Sequence, residues 1–459
     1  MTPALLSRIA QWTGGRLLGE DRLVGAVATD TRTLAASDER PVLFVALKGE
    51  RFDGHAHVGD AIAAGAQAVL VEREVAVSVP QVVVPNTERA LAAMAAAVQA
   101  TRSTKVIAIT GSNGKTSVKA LLLSILKHAG SAYANPGNRN NEIGLPLAVI
   151  DAPDDVDFAI YEMGAGKPGD IAYLTAIARP DIALVNNVAP AHLERMRTLL
   201  GVADTKAAIY DALPAGGVAV INADDAFAPY FAERAHGRRL IRFGLEATAD
   251  VTARSIAPQS EGTRFTLVTP QGEVDVVLAL PGRHNVLNAL AAASLASGAG
   301  ASLQAVADGL ASARAVAGRL VTHQLPNGAT LIDDSYNANP GSLNAAIDML
   351  ANAGGESWLV LGDMRELGDD ARSLHAEAGR RAQTAGVARL FTLGPLSAAA
   401  TESFGAGAKH FTSHDALASA LRAQLHRGIR VLVKGSRGSA MDKVVQALLP
   451  ANGDTPHAA

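Results

Sequence analysis

Short apolar runs alternate with helix-periodic stretches along most of the chain. Before about residue 100 the pattern is mixed: FVAL (44–47) and AVLV (68–71) read as strands, with a polar loop and a helical stretch between them. From near Lys105 the alternation becomes regular. VIAI (106–109), FAIY (158–161), IALVNNV (182–188) and VAVIN (218–222) read as strands, and helical stretches follow or separate them. This rhythm predicts a parallel sheet covered by helices. Segments 239–256 and 262–280 predict further β structure, and an alanine-rich helix follows PGRHN (281–285). A second series begins near Ala315, with ATLIDD (329–334), SWLVLGD (357–363), RLFTLG (389–394) and RVLVKGS (430–436) as strands. The expected architecture is α/β in three domains: a small α/β N-terminal domain (1–100), a central parallel-sheet domain with a phosphate-binding loop (101–314) and a C-terminal Rossmann-like domain (315–459). The tail ANGDTPHAA reads as frayed.

Composition removes several classes of function. The 459 residues are 48% hydrophobic and 19% charged, enough apolar material for several cores. A net charge of −3 supplies no basic field for nucleic acid or anionic membrane. The absence of cysteine excludes disulfides, a thiolate nucleophile and cysteine metal sites, and fits a cytoplasmic location. The start, MTPALLSRIAQWTGG, has no basic segment followed by an apolar core, so no signal peptide is expected. The tract ALAAMAAAVQA (90–100) is too short and too alanine-rich for a bilayer, which takes about 20 residues, and reads as a soluble helix.

The most informative stretch is TGSNGKTS (110–117). It joins VIAI to SVKALLLSILKHAG (117–130), a helical stretch with Gly130 as its expected C-cap. The common phosphate-loop pattern is G-x-x-x-x-G-K-[ST], but Ile109 stands at the first glycine position and Gly111 comes two residues later. A loop between a strand and a helix N-terminus still presents backbone N–H groups and the helix dipole to a phosphate. Gly111 and Gly114 allow close backbone approach, Lys115 can bridge terminal phosphates and Thr116 can hold Mg²⁺. A tight turn with an ordinary surface lysine is the plainer alternative, and the whole string in this context argues against it. The loop indicates nucleotide binding without naming a reaction.

Ligands of open parallel sheets bind beyond the carboxyl ends of the strands. There the chain places Glu162, after FAIY, and His192, after IALVNNV, and the next helical stretch carries Lys206. Near a triphosphate these are candidate Mg²⁺ partners. Each also admits a duller role: a solvated loop charge, a helix cap, a solvated helix lysine. In the last block LIDDSYNANP follows a strand, and Lys434, Ser436 and Arg437 sit in a glycine-flanked loop before a helix, a geometry that suits anions but is equally ordinary turn chemistry.

Taken together, these stretches resemble the Mur ligases, ATP-dependent amide-forming enzymes of peptidoglycan assembly. The resemblance covers nearly the whole chain. It rests on TDTRTL and LFVALKGERFDGH in the first domain, and on TGSNGKTSVK, NPGNRNNEIGLPL, YEMGA, NNVAPAHLE, GVADTKAAIY and PGRHNVLNALAA in the second. DDSYNANPGSLNAAI, LGDMRELG and KGSRGSAMD complete it in the third. The shortened loop is then a family trait. DDSYNANP and LGDMRELG look like the versions found in dipeptide-adding members.

The resemblance implies a ligase that joins D-alanyl-D-alanine to UDP-N-acetylmuramoyl-tripeptide through an acyl phosphate, using ATP and Mg²⁺, with two ions expected. It implies a cytoplasmic monomer. Lys115, Glu162, His192 and Lys206 are the implied catalytic set. Thr116, Glu162, His192 and Lys206, the last as a carbamate, are the implied metal ligands. ATP is expected on Gly111, Ser112, Asn113, Gly114, Lys115, Thr116 and Ser117. Asn285 and Asn288 resemble the positions that contact adenine, and Arg319 and Asp334 those that reach the nucleotide from the last domain. Asp30, Arg32 and Lys48, with Asn138, Asn140 and Asn141, are candidates for the UDP-linked substrate. Asn337 and Asn339, with Lys434, Ser436 and Arg437, are candidates near the dipeptide. Ala207 and Ala208 stand where relatives often carry Gly-Glu after the lysine, which removes that glutamate's support. A mobile junction is expected near Ala315 to Arg319. Two rival readings remain: another Mur ligase or a folylpolyglutamate-type amide ligase, the latter opposed by the first-domain motifs, and a non-catalytic nucleotide-binding scaffold.

Overall fold

The run VIAI lies inside the strand Lys105–Thr110, within a six-stranded sheet. The structure, a computed structural model, describes residues 1–34, 40–49, 52–190, 193–259, 262–352 and 354–450. The strand order in this sheet is Arg239–Phe243, Val218–Asn222, Ile182–Val185, Lys105–Thr110, Phe158–Glu162 and Ala132–Ala134, and every neighbouring pair is parallel. Both faces are buried, so alternate residues of one strand enter different cores. Val106, Ala108 and Tyr161 face one core, while Ile107, Ile109 and Ile160 face the other. The second core also takes Phe265, Leu267 and Val276 from an antiparallel sheet formed by Thr252–Gln259, Gly262–Thr269 and Gly272–Leu278.

Before it, Arg16–Leu18, Gln81–Val83, Ala66–Val71, Val42–Val45 and Ala26–Ala28 form a five-stranded sheet, parallel except at its first pair. The alanine-rich tract folds into the helix Thr87–Ala100, started by Asn86, whose side chain accepts from Arg89 N. This helix fuses the first two sheets. Its Leu91, Ala95 and Val98 belong to one apolar cluster with Leu43 and Leu70 on one side and Leu145, Val149 and Leu174 on the other. Arg102 closes the seam: it donates to Val149 O and Ala152 O at 2.6 Å and pairs with Asp154.

The last sheet runs Val321–Gln324, Thr330–Asp334, Ile429–Lys434, Glu356–Gly362, Arg389–Leu393 and Ala408–Phe411, with only the first pair antiparallel. Its two apolar clusters lie wholly within residues 320–449. Among the described residues, no apolar cluster joins it to the rest of the chain.

Two elements differ from the sequence pattern. IALVNNV is a strand only over Ile182–Val185, because Asn186 and Asn187 turn their side chains to the phosphate-type loop. The helix after that loop ends at Leu126 rather than running to Gly130. Turn bonds from His128 N to Ile125 O and from Ala129 N to Leu126 O close its end, and Gly130 N also donates to Leu126 O at 2.9 Å, so the glycine reaches the last helical carbonyl from beyond the helix.

Candidate active site

The loop between Thr110 and Lys115 is propped from behind by asparagines. Asn113 N donates to Asn187 Oδ1 at 2.8 Å, and Asn186 Nδ2 donates to Asn113 O at 3.0 Å. Ser112 Oγ donates to Ala189 O at 3.0 Å. Gly114 has φ +79°, and a Cβ there would lie 2.5 Å from both Asn186 Nδ2 and Asn288 Oδ1, so no other residue fits without displacing them. Lys115 Nζ donates to Gly111 O at 2.7 Å. Burial lowers its pKa, and the Arg319 cation adds to this against the opposing pull of Glu162.

Helix Lys115–Leu126 then presents Thr116 to the end of strand Phe158–Glu162. Thr116 Oγ1 donates to Glu162 Oε2 at 3.0 Å, and Asn140 Nδ2 donates to Oε1 at 3.0 Å. Glu162 is only 3% exposed. Burial pushes its pKa up, but the Lys119 and Lys115 cations and the Asn140 hydrogen bond outweigh that and hold it below the ordinary glutamate value. Asn135 fastens the neighbouring segment to the same strand: Glu162 N donates to its Oδ1, and its Nδ2 donates to Glu162 O.

Lys206, in helix Leu199–Asp211, is buried, and no carboxylate among the described residues pairs with it. Burial and the nearby Lys115 charge lower its pKa to about 7, with Asp170 opposing. His192 lies outside the described residues. No group of three His, Asp or Glu side chains gathers as a metal site among the described residues. Thr116 and Glu162 offer the hard oxygen donors that suit Mg²⁺, an ion that takes few protein ligands and keeps waters and phosphate oxygens.

A cavity of about 620 Å³ opens from this point. One wall carries Ser112 to Thr116 with Glu162, and the opposite wall carries Arg319, Tyr336, Asn337, Asn339, Ser436 and Arg437 from the last domain. Asn138, Asn140 and Asn141 line it beside the loop. Arg319 lies over the Tyr336 ring, 4.3 Å from its centroid, with Nη2 3.5 Å from Thr116 Oγ1. Its Nε is buried and has no hydrogen-bond partner among the described residues. Asn339 Nδ2 donates to Asn113 Oδ1 at 2.7 Å, so the two walls touch.

Other residues singled out by the sequence lie off the cavity wall. Asp334 and Lys434 pair with each other at 2.5 Å in the last domain's interior, and Lys434 also donates to Asn337 O. Asn285 donates to Pro281 O and accepts from Asn288, which lies behind Gly114. Gly111 and Ser117 do not line the cavity. In the first domain Asp30 and Arg32 pair locally and exposed, with the guanidinium holding the Asp30 carboxyl at about 2, and the backbone of Lys48 forms an isolated antiparallel bridge with that of Asp53. Sequence reasoning missed Asn135, Asn186 and Asn187, whose roles depend on the loop they touch. It also missed Lys119, and the wall cations Lys167, Arg195 and Arg365.

Comparison with known proteins agrees across the chain. Family profiles match residues 28–108 (Mur ligase family, catalytic domain), 109–296 (Mur ligase middle domain) and 318–437 (Mur ligase, glutamate ligase domain). The UDP-N-acetylmuramoyl-tripeptide–D-alanyl-D-alanine ligase of Escherichia coli is 44% identical over 98% of this chain and 99% of its own. A crystal structure of MurF from Acinetobacter baumannii superposes with a TM-score of 0.91 at 32% identity, over 98% of this chain and 99% of that one. The MurF ligase of Thermotoga maritima in complex with ADP gives a TM-score of 0.82 at 28% identity, over 92% and 96%. Given relatives aligned end to end and a loop, strand-end carboxylate and last-domain wall in one cleft, the chain belongs to the Mur ligase family.

Proposed function

We propose that this protein joins D-alanyl-D-alanine to UDP-N-acetylmuramoyl-tripeptide at the expense of ATP, in the cytoplasm and as a monomer, with domains dividing near residues 100 and 314. The observation that carries this reading is the two-walled cavity, with the nucleotide loop on one side and the Asn337, Asn339 and Arg437 wall on the other. The terminal carboxylate of the tripeptide attacks the γ-phosphorus of ATP, the bond to the β-phosphate oxygen breaks, and ADP leaves. The amine of the dipeptide attacks the acyl phosphate carbon, loses a proton, and expels inorganic phosphate.

Nucleophile and triphosphate are both anionic, so the first step needs positive charge at the transferring phosphoryl group. Lys115 and Arg319 supply it from opposite walls, and the Arg319 Nε, without a partner among the described residues, fits an anionic oxygen. Mg²⁺ would be held by Thr116 and Glu162, and a second ion by His192 and a carbamate on Lys206. When bound, the ions neutralise phosphate charge. Lys206 suits carbamylation because only a neutral amine takes up CO₂, and its pKa of about 7 makes that form abundant near neutrality. Asn138, Asn140 and Asn141 orient the acceptor, while Asn337, Asn339 and Arg437 face the dipeptide. Asp30, Arg32 and Lys48 serve the uridine end of the UDP-linked acceptor. Closure of the last domain about residues 315–319 excludes water from the acyl phosphate.

The test is phosphate release from ATP and Mg²⁺ with UDP-N-acetylmuramoyl-tripeptide, with and without D-alanyl-D-alanine. Release that requires the dipeptide is expected. Turnover only with L-alanine, D-glutamate or a diamino acid and its matched precursor would assign a different step.

A further inference from the structure

Lys119 is a cation in the interior. It is 7% exposed, one turn beyond Lys115 and three residues beyond Thr116 in helix Lys115–Leu126. A buried ammonium is costly unless its three N–H groups are all met. Here they are: Lys119 Nζ donates to Asn135 O at 2.9 Å and Gly137 O at 3.1 Å, and lies 3.2 Å from Glu162 Oε2. The three acceptors come from two elements. Glu162 ends the strand beside the nucleotide loop. Asn135 and Gly137 open the segment that brings Asn138, Asn140 and Asn141 to the cavity. Asn140 returns to the other oxygen of Glu162, which closes a ring of contacts through the lysine.

We propose that Lys119 is a positioning residue that couples the nucleotide end of the cavity to the acceptor end, holding the Glu162 carboxylate and the 135–141 segment in one fixed relation. The proposal rests on the function given above for the identity of the acceptor. The lysine does not line the cavity. It acts through Glu162 on the metal-nucleotide side and through two backbone carbonyls on the acceptor side. A lysine that served stability alone would lower the melting temperature on substitution without singling out the KM of one substrate.

Lys119→Met removes all three bonds, and Lys119→Arg keeps the charge but cannot place a tetrahedral ammonium among three acceptors. Both variants are compared with the native full chain by melting temperature, by KM for each of the three substrates, and by calorimetric ADP affinity with and without Mg²⁺. For Lys119→Met, the expected result is a KM for the UDP-linked acceptor about tenfold or more higher, the size of effect typical of groups that orient ligand-holding side chains, with KM for the dipeptide unchanged. The gain in ADP affinity brought by Mg²⁺ should also be lost. Lys119→Arg should keep that gain and still show a raised acceptor KM. Should Lys119→Met fail to fold, Lys119→Arg decides alone, and a native acceptor KM in it overturns the proposal. Equal shifts in all three KM values, or unchanged kinetics, overturn it as well. If the native chain turns over none of the assigned substrates, the functional reading fails, whereas loss of the Mg²⁺ increment in Lys119→Met still upholds the hold on Glu162 and its persistence overturns it.

Discussion

Asn113 of the nucleotide loop and Asn339 of the last domain, 226 residues apart, share a hydrogen bond of 2.7 Å across the cleft. Asn339 does two jobs at once. Its Oδ1 accepts from Ser342 N and so starts the helix Pro340–Asn352, while its Nδ2 reaches the loop. Substitution can separate the two. Asn339→Ser keeps a capping oxygen but is too short to reach Asn113, and Asn339→Ala loses both. A cap and a neutral hydrogen bond are each worth about 1 kcal/mol. Asn339→Ala should therefore melt below Asn339→Ser, while both lose turnover to a similar extent. Melting curves and steady-state rates on the three proteins check this.

Lys206 makes a pH prediction. Its amine has a pKa of about 7 in the folded chain against 10.5 ordinarily. Between those values the unfolded chain binds a proton that the folded chain does not, so this group makes stability rise with pH across that window. Below pH 7 both states are protonated and the full penalty of burying the charge, on the order of a few kcal/mol, is present. Lys206→Met carries no such penalty. It should melt above the native chain near pH 6.5, lose that advantage steadily toward pH 10, and be inactive throughout. Paired melting curves in bicarbonate-free buffer from pH 6.5 to 10 measure the crossover.

The Asp334–Lys434 pair is nearly enclosed, with side-chain exposures of 10% and 3%. Removing one partner strands the other charge, at a cost of roughly 3–5 kcal/mol. Asp334→Asn should show that loss in urea unfolding of the last domain. The double variant Asp334→Asn with Lys434→Met should recover much of it, since no unpaired charge remains.

Arg319 stacks on Tyr336, and its buried Nε has no acceptor among the described residues. A lysine there has neither the flat face nor the fork. Arg319→Lys should fold normally and lose about 10²-fold or more in kcat, the scale of removing one preorganised donor to developing charge. A rate within threefold of native would remove Arg319 from the charge-stabilising set.

Where apolar periodicity was regular the fold was legible, because a sheet buried on both faces writes itself as continuous runs such as VIAI and FAIY. The same logic mistook Asn186 and Asn187 for strand residues. Their side chains point to a loop that sequence order places some 75 residues earlier, as the spacing between Asn113 and Asn187 shows. Glu162 was legible because a strand end in a parallel sheet is where a ligand-facing acid belongs. Lys119 was not, because a lysine at helical spacing looks solvated until the carbonyls of Asn135 and Gly137 close over it. Asp334 and Lys434 read as two separate ligand-facing charges, and only strand pairing between Thr330–Asp334 and Ile429–Lys434 brings them side by side.

The separation of cores has a consequence for how tightly the two walls need to hold each other. The first two sheets share one interior, whereas the last meets them through polar contacts such as Asn113–Asn339 and Arg319–Thr116. Two free proteins joined by so little would drift apart. A tether of a few residues between Ala313 and Arg319 replaces that encounter by an intramolecular one, with an effective concentration on the order of millimolar or higher. Weak contacts then suffice to bring the walls together, and weak contacts also let them part, so the chain can enclose a reactive intermediate and release a large product with the same seam.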